Sequence, residues 1–180
     1  MNPITRSQLT VAQLARGAVI ALTLALIWAA PAAAAPPTRI VRPPHTSVLP
    51  AGTACAFDVK GEPLRGTVMV TDHGDGGVVF QDHAEGQYTN LATGTTFVVR
   101  EAFRNVDRFD PATGIDLGML SGQFEFIFVP GDQGPFGVVG SDGAFYRFVG
   151  TATYTWDASA NRLTRFEYSG TVTDVCAALS

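Results

Sequence analysis

The chain from about residue 53 onward is a succession of short runs in which apolar and polar residues alternate, and none has the 3.6-residue period of an amphipathic helix. Between 122 and 129 three phenylalanines occupy alternate positions, and the runs 144–156 and 164–176 also place their aromatic residues mainly on one parity. Successive side chains of a strand point to opposite faces, so each run predicts a strand with one aromatic and one polar face. The pattern therefore predicts an all-β domain.

Clusters of Gly, Pro, Asp and Asn separate the runs and predict tight turns at 92–94, 110–114 and 157–161. Gly150 and Gly170 interrupt the aromatic faces of two runs, where a missing side chain allows a bend or a close approach of two backbones. We expect about eight or nine antiparallel strands in a small up-and-down β-barrel. A sandwich of two sheets explains the alternation equally well.

The N-terminal segment has the layout of a secretory signal. An apolar run over 18–30 follows Arg6 and Arg16. This run is shorter than the roughly 20 residues that a membrane-spanning helix needs. Three alanines at 32–34 then supply a small-residue cleavage site. An uncleaved anchor is the alternative interpretation.

These features divide the chain into three segments. We assign 1–34 to a signal peptide, 35–52 to a proline-rich flexible tether, and 53–180 to a single β-barrel domain. The expected product is a secreted protein that is extracellular or loosely associated with the cell wall, with no membrane insertion after processing.

The charge of the chain restricts its partners. The sequence has 12 basic and 16 acidic residues, and loss of the predicted signal peptide leaves 10 basic residues and a net charge of −6. No basic cluster stands out along the mature sequence, which disfavours a nucleic-acid partner and an anionic membrane surface. The sequence leaves the oligomeric state open.

Two cysteines, Cys55 and Cys176, lie at the two ends of the predicted domain. In an exported protein such a pair predicts a disulfide. Closing so long a loop stabilises the fold by roughly 4–5 kcal/mol in the chain-entropy model. The bond also excludes either thiol as a nucleophile.

Two carboxylates are candidates for acid–base catalysis because they fall on apolar faces. Glu101 shares its parity with Phe97 and Phe103, and Asp174 shares its parity with Phe166. Burial raises the pKa of a carboxyl and suits it to proton transfer. There are two alternatives for both residues. Either the carboxylates lie at strand ends, where water hydrates them, or a β-bulge turns them to the polar face.

A histidine-containing turn is a weak candidate for a metal site, with Asp72, His73 and Asp75 as ligands. His83 lies too far along the return strand to join them, since ten extended residues span about 33 Å. An ordinary polar turn explains the segment better. No sequence motif for a cofactor is present, and we expect none.

Aromatic residues of the inward faces are the candidates for ligand binding. They would line an apolar cavity or simply fill the core of a small barrel. The glycine-rich loop 130–135 is expected to cap one end of the barrel as a flap. The candidate ligand-binding residues are Phe124, Phe126, Tyr146, Phe148, Tyr154 and Trp156.

Three short motifs carry a resemblance to known proteins: Cys-Ala-Phe at 55–57, Thr-Asn-Leu-Ala-Thr-Gly at 89–94, and Ser-Gly-Thr-Val-Thr-Asp-Val-Cys at 169–176. In these the chain resembles a group of small exported actinobacterial proteins. The strand pattern resembles, more distantly, the barrels of allene oxide cyclases, dirigent proteins and lipocalins. The resemblance implies an exported β-domain and no particular reaction.

Three functions fit these observations. The first is non-enzymatic binding of a small apolar ligand or an envelope component. The second is a cyclase or isomerase that uses Glu101 or Asp174 inside the barrel. The third is a structural exported protein with a solid core. A cavity of about 300 Å³ or more would favour the first two.

Overall fold

A curled antiparallel sheet forms most of the protein in the computed structural model, which describes residues 38–41, 45–73 and 76–180. A two-stranded hairpin and a short C-terminal helix complete it. The elements are β1 Thr38–Val41, β2 Ser47–Leu49, β3 Val59–Asp72, β4 Gly77–Asn90, β5 Thr96–Asp110, β6 Ile115–Phe128, β7 Gln133–Gly134, β8 Gly137–Val138, β9 Ala144–Asp157, β10 Arg162–Asp174 and α1 Val175–Leu179. The predicted signal peptide, 1–34, lies outside the described residues.

The strand order β1-β3-β4-β5-β6-β9-β10, with β2 also pairing with β3, confirms the all-β antiparallel prediction. The sheet curls into a half-barrel. Its outermost strands, β1 and β10, lie at opposite ends of this order, and no pairing joins them among the described residues. A disulfide supplies the covalent link instead, because Cys55 precedes β3 and Cys176 follows β10, with their Cα atoms 5.5 Å apart. The predicted cysteine pairing is confirmed.

The sheet begins earlier in the chain than the expected domain boundary at residue 53. Both β1 and β2 lie in the segment 35–52, and each pairs with a different part of β3. Neither strand contains a proline, so every amide of both strands can donate a hydrogen bond.

The three predicted turns share one construction, which begins at an Asn or Asp residue. The side chains of Asn90, Asp110 and Asp157 accept a hydrogen bond from the amide two residues later, at 2.8–2.9 Å. This local bond mimics a backbone turn and directs the chain back on itself. Each turn ends at a residue with positive φ, and these are Gly94, Gly114 and Asn161.

Three paired glycines form a row across the sheet, where Gly122 opposes Gly150 and Gly150 opposes Gly170. Their φ angles are +120°, +146° and +126°, which side chains of L-residues rarely allow. A Cβ at Gly150 would lie 2.1 Å from the carbonyl oxygen of Ser169. The close backbone approach predicted at two of these glycines is confirmed.

The larger apolar core lies on the inner face of β6, β9 and β10, around Phe124, Phe148 and Phe166. The loop 130–135, predicted as a flap, is fastened to this core by the buried Asp132. One of its carboxylate oxygens accepts a hydrogen bond from Leu163 N at 2.9 Å, and the other accepts one from Val129 N at 3.0 Å. The loop thus joins β6 to the start of β10.

A smaller core forms where α1 packs, from Val59, Phe145, Val175 and Leu179 together with the disulfide. Asn90 Nδ2 donates a hydrogen bond to the carbonyl oxygen of Leu179 at 3.0 Å and ties the helix end to the sheet. Among the described residues, none of the helices has the length and hydrophobicity of a transmembrane helix.

Candidate functional site

A group of three hydrogen-bonded polar side chains lies on the inner face of the sheet, next to the aromatic core. Tyr154 Oη donates a hydrogen bond to Asp107 Oδ1 at 2.5 Å. Asn105 Nδ2 donates to Asp107 Oδ2 at 2.8 Å and to Tyr154 Oη at 3.2 Å. We call Asn105, Asp107 and Tyr154, together with the neighbouring Asp116, the inner polar cluster.

A glycine brings this cluster together. Asp107 opposes Gly118, and Gly118 opposes Tyr154, so β6 separates the carboxylate from the phenol. A Cβ at Gly118 would lie 2.0 Å from Tyr154 Cζ, which means that the tyrosine ring lies directly over this glycine. The missing side chain lets Tyr154 reach across β6 to Asp107.

The environment of the cluster raises the pKa of both of its carboxyls. Burial raises the pKa of Asp107, and the hydrogen bonds from Tyr154 and Asn105 oppose that rise. Burial also raises the pKa of Asp116, and the charge of Asp107 raises it further. The pKa of Tyr154 is raised by burial and by its bond to Asp107, so the phenol stays a donor.

Apolar side chains surround the cluster on the same face. Val78 opposes Asp107 and Phe80 opposes Asn105 on β4, while Trp156 opposes Asp116 on β9. All three apolar residues are half-buried. The inner face therefore combines apolar walls with a few convergent polar groups, which is the usual composition of a small-molecule site.

The six aromatic residues predicted to line a ligand cavity are all on this face, and their rings mostly contact one another. Phe124 stacks on Phe148 at 5.2 Å between ring centroids, and Phe126 meets Tyr154 at 5.7 Å. Phe124 and Phe148 are fully buried. At the other end of the group, Tyr154 belongs to the inner polar cluster, and Trp156 opposes its member Asp116.

Glu101 lies apart from this cluster, at a cavity of about 200 Å³ that is also lined by Tyr88, Val99, Glu125 and Gly61. This cavity is smaller than the roughly 300 Å³ typical of ligand pockets, but Glu101 also lines a more open groove of about 710 Å³ with His83 and Arg100. The lining of the smaller cavity includes further charged groups at Glu62, Arg65 and Glu85.

Asp174 is exposed, and the expectation that it would be buried on the aromatic face is wrong. It is the N-cap of α1, and its Oδ1 accepts a hydrogen bond from Ala177 N at 2.9 Å. Asp174 keeps the predicted register opposite Tyr146, but it is the last residue of β10, where its side chain is open to solvent. Strands β6 and β9 separate Asp174 from Glu101, and the structure does not bring these two candidates together.

The proposed metal ligands do not form a site among the described residues. Asp72 and His73 are exposed, and Asp75 lies outside the described residues. Within the ranges 38–41, 45–73 and 76–180, no group of three or more His, Cys, Asp or Glu side chains is arranged to hold a metal ion.

Sequence reasoning missed Asn105, Asp107 and Asp116, although the signal was available. Asn105 and Asp107 continue the parity of Phe103, the same rule that selected Glu101. Asp116 continues the parity of the phenylalanines of β6.

Comparisons with protein-family models, with curated proteins and with solved structures found no match to this chain. The functional argument therefore rests on the geometry of the inner face.

Proposed function

We propose that this protein is an exported binding module that holds a small, largely apolar molecule with one polar group against the inner face of the half-barrel. The observation that carries the proposal is the inner polar cluster, set among half-buried apolar residues. The apolar walls would take the body of the ligand, and the cluster would orient its polar group.

The chemistry of the cluster indicates which polar group would bind. Asp107 accepts hydrogen bonds from two neighbours, and Asp116 Oδ1 is buried with no hydrogen-bond partner among the described residues. A buried acceptor that lacks a partner is costly, and a ligand hydroxyl or N–H would satisfy it. A neutral donor therefore fits better than an anion.

Export is part of the proposal, and the disulfide supports it. Structural disulfides are typical of proteins in oxidising compartments and rare in reducing ones. The signal-like N-terminus points the same way. N-terminal sequencing of the protein recovered from culture medium tests this part, with a start at or near Ala35 expected.

The binding test has two arms. Native mass spectrometry of the protein from its own culture medium should reveal a co-purified small molecule. A fluorescence titration with N-phenyl-1-naphthylamine, a neutral apolar probe with one N–H donor, should show saturable binding. Gly118→Ala displaces the Tyr154 ring and should weaken that binding about tenfold, the effect of losing one good polar contact.

Gly140→Ala is the matched control, because a Cβ at Gly140 meets nothing within 4 Å. Tyr154→Phe is a second site variant that keeps the ring and removes the hydroxyl. Saturable probe binding that neither site variant alters would place the ligand elsewhere. Absence of both probe binding and a co-purified molecule would favour the structural, solid-core function.

A second candidate is proton transfer of the cyclase or isomerase type. The observation that favours it is the raised pKa of the neighbouring carboxyls Asp107 and Asp116, which suits one of them to act as a general acid. Conversion of a co-purified molecule on incubation, lost in Asp107→Asn, would support this activity over binding alone.

A further inference from the structure

Four aromatic side chains form a closed set of contacts beside the hairpin of β7 and β8. Phe136, in the turn of that hairpin, lies 5.5 Å from Tyr146 and 6.2 Å from Tyr168 between ring centroids. Phe148 completes the set, at 6.2 Å from Tyr146 and 5.5 Å from Tyr168. We call Phe136, Tyr146, Phe148 and Tyr168 the aromatic box.

The four rings surround a common centre. Each ring is inclined by 62–79° to the two rings that it contacts. The diagonal pairs, Phe136 with Phe148 and Tyr146 with Tyr168, make no ring contact. With sides of these lengths, the centre of the box lies within about 5 Å of every ring centroid, inside the ~6 Å range of a cation–π interaction.

One side of the box is open to solvent. Phe148 is fully buried and closes the inner side, whereas Tyr146 and Tyr168 are half-buried. Phe136 is 67% exposed. A cavity of about 180 Å³ borders Phe136 and Tyr146 and is also lined by four glycines of the segment 134–143. A ligand from solution can therefore reach the rings without displacing the core.

A carboxylate lies next to the box. Asp174 opposes Tyr146 in the register of β9 and β10, and it is exposed. Burial raises the pKa of Tyr146, and the negative charge of Asp174 raises it further, so this charge acts on a ring of the box. The charge that β9 and β10 bring to the box is negative, because the basic residues of both strands have their side chains on the other face of the sheet. These residues are Arg147, Arg162 and Arg165.

We propose that the aromatic box binds a quaternary ammonium group, with Asp174 as its counter-ion. The faces of aromatic rings carry partial negative charge and attract cations. A quaternary ammonium has no N–H donor, so it suits a site that offers rings and one carboxylate in place of a shell of hydrogen-bond acceptors. The box shares no residue with the inner polar cluster, so it is a second site that takes a different class of ligand.

The test is a protein-observed NMR titration of the full processed protein with choline. A matched titration uses 3,3-dimethyl-1-butanol, which has the shape of choline without its charge. Choline should bind saturably and shift the resonances of the hairpin residues 134–138. The neutral analogue should bind about tenfold more weakly, because it lacks the cation–π and ionic attraction. Added salt should weaken choline binding, since Asp174 is exposed.

Single variants assign the binding to the box. Phe136→Leu keeps an apolar side chain without a ring and should weaken choline binding about threefold. Asp174→Asn keeps an N-cap for α1 and removes the charge, and about a fivefold loss is expected. The exposed residues Phe109 and Glu167 lie outside the box, so Phe109→Leu and Glu167→Gln are matched controls that should bind choline as wild type does. The proposal is overturned if choline does not bind saturably, if the neutral analogue binds equally well, or if Phe136→Leu and Asp174→Asn both leave choline binding unchanged.

Discussion

Single positions on the inner face determine what the site can do. Gly118 is the clearest case, because a side chain there would occupy the space of the Tyr154 ring. Without Tyr154 in that position, Asp107 would lose a hydrogen bond that helps to offset its burial. One missing side chain therefore permits a carboxylate to remain on an otherwise aromatic face.

Asp116 should make the stability of the protein depend on pH. Its pKa is raised by burial and by Asp107, so the folded state binds this proton more tightly than the unfolded chain does. The stabilising contribution is complete below the unfolded pKa, near 4, and is lost as pH rises through the folded pKa. Asparagine does not titrate, so the Asp116→Asn variant escapes this loss. The melting temperature of the variant minus that of wild type should therefore increase as the pH rises from about 4 to about 7.

Asp142→Asn provides the comparison for this measurement, since Asp142 is exposed in a loop. Thermal denaturation followed by circular dichroism over the pH range gives the difference directly. A difference between Asp116→Asn and wild type that stays constant with pH would contradict the raised pKa.

At the scale of elements, α1 shows how local and long-range contacts combine. A helix of five residues is far below the length that is stable in isolation. Asp174 caps its first turn, Cys176 anchors it covalently, and the buried Val175 and Leu179 pack against the sheet. The helix in turn covers the smaller core, so loosening it exposes apolar surface.

Asp174→Ala should lower the free energy of unfolding by about 0.5–2 kcal/mol, the usual cost of losing an N-cap. The loss follows from the freed amide of Ala177, not from a buried carboxylate. Urea denaturation measures it, with Asp142→Ala as a control that removes an exposed carboxylate elsewhere. An effect no larger than that of the control would show that the cap contributes nothing.

At the scale of the whole molecule, the disulfide links the beginning and the end of the strand meander, as strand pairing does in a closed barrel. The strand order runs from β1 to β10 without a pairing between those two strands, yet the bond joins the segment before β3 to the segment after β10. It therefore encloses nearly the whole meander, with a sequence separation of 121 residues. Loops of that length lose the most entropy when they are closed in the unfolded chain.

Cys55→Ala with Cys176→Ala should reduce the free energy of unfolding by about 4–5 kcal/mol, because the unfolded chain regains that entropy. Alanine suits the test, since Cys55 is buried and should not be replaced by an unpaired polar group. Denaturation of the wild type with and without reductant is the parallel measurement. Equal stability of reduced and oxidised protein would contradict the prediction.

The sequence by itself determined the features that depend on near neighbours along the chain. Alternation in 122–129 and 164–176 was enough to predict strands and an aromatic face, because the two-residue period of a strand is a local property. The turn positions followed in the same way from Asp, Asn and Gly chemistry. The cysteine pairing followed from two cysteines in a chain whose N-terminus predicts export.

Only the tertiary structure decided which strand faces pack against each other and how exposed each side chain is at the end of its strand. Parity identified Glu101 and could have identified Asp107, but the pairing of Gly118 with Tyr154 depends on register across strands distant in sequence. Parity correctly placed Asp174 opposite Tyr146, but only the structure shows that this last residue of β10 is exposed and caps α1. Asp107 and Tyr154 are far apart along the chain, and cross-strand register is set by the packing of the whole sheet.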